Sequence, residues 1–118
     1  MIMSPELDLL DHLTGSDQPL SVALAIFERA TTPDQALNRA ARVVTLYVSN
    51  RLALLLDTTD DTDTEVPPWK LRVLLAARET WSNPAFVLRI TPQGAQAFAR
   101  DSAGFFDRLF SGDSPGAA

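Results

Sequence analysis

The chain has 118 residues, 46% of them hydrophobic and 21% charged, with no cysteine and a formal charge of −5 at pH 7. That length suits one domain whose core buries roughly two-thirds of the unfolded surface. The missing cysteines exclude disulfides and thiolate metal sites and fit a reducing cytoplasm, while the negative charge opposes a simple nucleic-acid binder, whose affinity comes from basic surface.

No apolar run approaches a membrane span, and Met1–Asp8 has no basic region leading into an apolar core. Neither a membrane anchor nor a secretory signal is therefore expected, and the expected location is cytoplasmic. Ser4-Pro5-Glu6-Leu7 reads as a helix cap with proline in the first turn, and Leu7, Leu10 and Leu13 give a short stripe ended by Gly15. Asp17 and Pro19 open a second helix through Leu20, Val22, Leu24, Ile26 and Phe27. It is apolar nearly all round, which suits a deep position or a dimer contact. Thr32-Pro33-Asp34-Gln35 has the form of a capping box, with Gln35 placed to reach back to the Thr32 N–H. Leu37, Ala40, Ala41, Val44 and Val48 continue it at helical spacing.

Residues 47–56 admit two layouts, because their apolar runs are too short for period to separate strand from helix. In one, the helix continues to about Leu56. In the other, Arg51–Asp57 is a buried strand, followed by strands at Leu71–Ala77 and Ala85–Ile90 in an antiparallel meander. That second layout loosely resembles small sensory domains of the GAF type. Asp57–Glu65 is polar, acidic and without a stripe, hence a solvated loop. The alternate spacing of Asp61, Asp63 and Glu65 invites calcium. An EF-hand, however, needs a glycine and a bidentate glutamate where Val66 and Arg72 stand, so no metal is expected.

Val66-Pro67-Pro68-Trp69 restarts structure, and Trp69, Leu71, Val73, Leu74 and Leu75 suit helix or strand; Trp81-Ser82-Asn83-Pro84 reads as a turn. Trp69, Trp81 and Tyr47 are expected in the core or a dimer interface. Phe86, Leu88 and Ile90 alternate with Val87 and Arg89 as in a half-buried strand. Thr91 can then cap a helix whose first position holds Pro92. Ala95, Phe98, Phe105, Phe106, Leu109 and Phe110 recur on one stripe, interrupted by Gly104, and residues 111–118 read as a disordered tail.

Arg89-Ile90-Thr91-Pro92-Gln93-Gly94 followed by Phe98 resembles the end of the wing in winged helix-turn-helix regulators. Members of the MarR, PadR and LysR-type families carry a similar "LTPxG" leading into the last helix. The resemblance covers about a fifth of the chain and implies a DNA-binding regulator. The one basic segment, residues 66–100, coincides with it: Lys70, Arg72, Arg78, Arg89 and Arg100 stand there against Glu79 alone. On this reading Lys70 and Arg72 probe the major groove while Arg78 and Arg89 meet phosphates at the wing. The recognition helix has two placements. In the first, Ala40-Ala41-Arg42 lies in the positioning helix and Tyr47–Leu52 begins the recognition helix. In the second, Arg51–Asp57 positions and Pro68–Ala77 recognises.

His12 is the single histidine, no serine is flanked by nucleophile-elbow glycines, and the glycines form no phosphate loop. No catalytic residue and no cofactor is therefore expected. The expectation as a whole is an α+β, mostly helical, winged-helix-like domain over residues 1–110. It carries a small antiparallel β-hairpin or three-stranded meander and a C-terminal helix. It would act as a non-enzymatic DNA-binding transcriptional regulator and pair as a homodimer through Phe98, Phe105, Phe106, Leu109 and Phe110. The alternative is an acidic protein-interaction module, meaning an adaptor, a secretion-type chaperone or a winged helix without DNA binding. A small-ligand sensor is a third class.

Overall fold

The computed structural model of the chain describes residues 4–99. Helix α1 spans Pro5–Gly15, with Ser4 Oγ accepting the Leu7 N–H at 3.4 Å and proline at the first position. Strand β1, Gln18–Pro19, leads into α2, Leu20–Glu28, and α3 follows as Pro33–Ser49. Strand β2 is Ala53–Asp57, and after a single 3₁₀ turn at Thr59–Asp61 comes β3, Thr64–Glu65. Helices α4 (Pro68–Ala76) and α5 (Arg78–Ser82) precede β4 (Phe86–Ile90), and α6 is Pro92–Ala99. The domain is α+β and mostly helical, with one small antiparallel sheet.

The sheet order is β1-β4-β2-β3, every neighbour antiparallel. Residue Ala53 faces Ile90, Leu55 faces Leu88 and Asp57 faces Phe86, while Gln18 faces Leu88 from the other side. One face of β2 and β4 thus presents Leu55 and Leu88 to the core, with Phe86 and Ile90 packed at its margin. The alternation expected for 86–90 is realised. Leu9, Leu10 and Leu13 of α1, Leu20, Ala23 and Phe27 of α2, and Ala36, Ala40, Val44 and Tyr47 of α3 fill the same core.

Of the two layouts open for 47–56, the strand is formed: α3 stops at Ser49 and β2 begins at Ala53. The stop has a mechanism. Arg51 takes φ 60, Leu52 N–H bonds Tyr47 O at 2.8 Å, and Arg51 N–H bonds Val48 O at 3.1 Å. This is a Schellman closure with arginine where glycine is usual, at a backbone cost of about 1 kcal/mol.

Three local expectations are corrected. Residues 71–76 are helix rather than the strand of the meander layout, because Leu71 and Leu75 fall on one helical face and are buried there. The capping box does not close at Thr32, which makes no side-chain cap bond; Gln35 instead accepts the Thr31 hydroxyl at 2.7 Å. Trp81 and Ser82 end α5, so the turn starts at Asn83, whose Oδ1 accepts the Ala85 N–H at 3.0 Å. Phe105, Phe106, Leu109 and Phe110 lie outside the described residues.

Candidate functional site

The Thr91–Gly94 junction is built against the exit of α3. Thr91 N–H donates to Leu52 O at 3.0 Å, and its hydroxyl donates to Arg51 O at 2.6 Å and accepts the Gly94 N–H at 2.9 Å. The expected cap is therefore present, and the same side chain also holds the α3–β2 turn. A Cβ built on Gly94 would stand 2.0 Å from Leu52 O, so glycine is what lets α6 lie on that backbone. The role of this motif is architectural: it fastens α6 and β4 to the end of α3.

The four cations expected to meet DNA fall on three elements. Arg89, in the middle of β4, donates through Nε and Nη2 to Asp17 Oδ2 at 3.0 and 2.8 Å, and through Nη2 to Asp63 Oδ2 at 3.0 Å. The hydrogen bonds to Asp17 and then Asp63 hold its guanidinium charged, above its ordinary range. Arg78 opens α5 and lies 3.9 Å from the fully exposed Asp34, a contact of little energetic weight. Lys70 and Arg72 project from α4, with Lys70 Nζ 5.1 Å from the centroid of the Trp69 ring. Neither proposed recognition register corresponds to an element pair. Residues 40–48 belong to one unbroken helix, and 53–57 is a strand.

Helix α4 packs on α3 while α5 packs on α2, so the segment between β2 and β4 folds back over the helices. Its two tryptophans part company. Trp81 is 1% exposed, and its indole N–H donates to Leu75 O at 2.9 Å. Trp69 is 75% exposed and Val73 74%, one turn apart on the outer face of α4. Of the two places expected for Trp69, the core of this chain is thereby corrected. Leu71 and Leu75 already supply the stripe that α4 needs for packing, which leaves a second apolar stripe in solvent. That surplus was visible in the sequence: Trp69, Leu71, Val73 and Leu75 cannot share one side of a helix.

Between α3 and α4 runs an open groove of about 380 Å³. Leu37, Ala41, Leu75 and Ala76 give it apolar walls, Arg42 and Arg72 line it with guanidinium groups, and no carboxylate lines it. Sequence reasoning missed this groove, since only the long-range pairing of α3 with α4 creates it. Asp57, the last residue of β2, accepts from the Thr59 hydroxyl and backbone N–H, which lower its pKa below the usual carboxylate range. His12 Nδ1 sits 2.8 Å from Asp8 O within α1. Phe98 packs partly buried against this chain's own core. Among the described residues, no three His, Asp or Glu side chains are grouped to hold a metal ion, and no helix is long and apolar enough to cross a membrane.

Comparison with family models, with curated proteins and with solved structures finds no match to this chain.

Proposed function

We propose that this chain is a protein-interaction module on a winged-helix-type frame, with the outer surface of α3 and α4 as its docking face. Support for the frame comes from local features. α2 and α3 are joined by the four residues 29–32, a helix-turn-helix length. The Thr91-Pro92-x-Gly94 junction leads from a sheet strand into α6, where the resemblance puts the end of a wing. α4 and α5 occupy the segment that a wing would fill.

The observation that carries the functional reading is the exposure of Trp69 and Val73 side by side. A large aromatic flanked by an aliphatic residue and an arginine is the composition of an interface anchor. Charge favours a protein over duplex DNA. The chain carries −5, and two of the four expected DNA cations already face carboxylates.

The test has two arms. In the first, mixed duplex DNA is titrated across a salt series with wild type and the Arg78→Ala/Arg89→Ala double variant, and no salt-sensitive complex is expected. In the second, partners captured by wild type are identified by mass spectrometry and rebuilt from purified components. Binding is then expected to be lost on Trp69→Ala/Val73→Ala. Salt-sensitive DNA binding that fails on Arg42→Ala, which alters the polar outer stripe of α3, would overturn the reading in favour of a regulator.

A further inference from the structure

We infer that the groove between α3 and α4 receives an acidic amphipathic helix of a partner protein. This deepens the interaction-module reading and rests on it.

The local charge is the opposite of the global one. In a chain of net −5, this groove is lined by Arg42 and Arg72 and by no Asp or Glu. Arg72 makes no ion pair with any described residue. An acidic ligand would gain Coulomb energy here that a basic one would lose.

The walls are apolar and helical on both sides. The α3 wall runs from Leu37 to Leu46, about 13 Å at 1.5 Å per residue, long enough for anchors at i, i+3, i+4 and i+7 of a third helix. Ala76 lies on the same outer stripe as Trp69 and Val73 and also lines the groove. The exposed pair does not itself line the groove but stands on the adjoining stripe of α4, where an incoming helix that overlaps the groove would meet it. Among the described residues an extended peptide has nowhere comparable to dock, because the edge strands β1 and β3 are two residues each and template almost no ladder. Nor can this chain's own acidic helix α1 serve a second copy, since its Leu9, Leu10 and Leu13 are committed to the core.

The probe is a labelled synthetic peptide of about three heptads with leucine at a and d and glutamate elsewhere. Its control carries lysine at every glutamate position. Fluorescence anisotropy with the full chain should show binding of the glutamate peptide only. Arg72→Glu should weaken it about tenfold and admit the lysine peptide. Arg72 is exposed, so the variant is expected to keep the wild-type circular dichroism. Trp69→Ala should weaken the glutamate peptide without changing its charge preference.

Equal binding of both peptides, or indifference to Arg72→Glu, would overturn the inference. So would a concentration-dependent dimer by sedimentation that Trp69→Ala dissolves, since the occupant would then be a second copy. If neither peptide binds while a rebuilt partner complex still depends on Trp69 and Val73, the inference falls and the interaction-module reading stands. If duplex DNA binds this face and the partner complex is absent, both fall.

Discussion

Two regions of this molecule are both built on short sequence motifs, yet they are constrained in opposite ways. At the seam between residues 50–52 and 91–94, the carbonyls of Asn50, Arg51 and Leu52 each accept a hydrogen bond from across the seam. Thr91 makes four hydrogen bonds, Gln93 Nε2 reaches Asn50 O at 3.4 Å, and Gly94 lies against the Leu52 carbonyl with no room for a methyl group. On the outer face of α4, Trp69 and Val73 have no such assignment and stand in water. Interior positions of a folded chain are specified by complementarity on all sides. A surface that keeps large apolar side chains without that complementarity is specified by something outside the chain.

The sharpest way to break the comparison is at the seam. Gly94→Ala should destabilise by about 3 kcal/mol, the upper range for forcing a carbon into packed structure, because the obstructing atom is backbone and cannot rotate away. Urea unfolding measures this, and a loss under half that value would show that α6 can slide off Leu52.

Tyr47 sharpens the same side with a pH signature. Burial first and the Glu6 charge second raise its pKa well above 10, and its hydroxyl donates to Glu6 O at 2.7 Å. Below pH 10 the phenol is neutral in both folded and unfolded chains. Above it the unfolded chain loses the proton while the folded one keeps it, so stability should fall by up to about 1.4 kcal/mol per pH unit. Tyr47→Phe should cost about 1 kcal/mol at neutral pH and remove that alkaline slope. The chain has one tyrosine, so tyrosinate absorbance reports this group alone. Titration near pH 10 in the folded protein would contradict the burial argument.

The smallest effect belongs to the other region. Trp69→Ala/Val73→Ala should leave urea stability within about 0.5 kcal/mol of wild type, as exposed positions do. The contrast is within one chemistry, since acrylamide should quench Trp69 freely and leave Trp81 dark to it. A loss above 1 kcal/mol would place the pair in the fold rather than on its surface.

These differences follow what sequence can carry. Ser4-Pro5, the strand 86–90 and the Thr91-Pro92 cap were readable because each depends on neighbours within a few residues. Residues 71–76 were not, because apolar residues on both sides of a helix mimic a strand until one side finds α3. Asp17 and Asp63 stand far from Arg89 in the chain, so nothing local announced that they would hold it. The groove is subject to the same rule: Arg42 and Arg72 belong to separate helices, and their charge became a site only by packing.

One further contact changes how the region from 58 to 85 should be regarded. Thr58 meets Ala85 O at 2.8 Å through both its N–H and its hydroxyl, so the two ends of this segment are clasped together, while β3 within it pairs back onto β2. Pairing of β2 with β4 continues beneath the clasp, and the exposed turn at Asp60 and Asp61 lies above it. Closing a loop costs only about 0.6 kcal/mol more for each doubling of its length. Descendants of this chain could therefore lengthen, shorten or recharge that outer turn, and so retune the neighbouring surface, while the strands below keep their register. The architecture separates the part of the molecule that can diverge from the part that cannot.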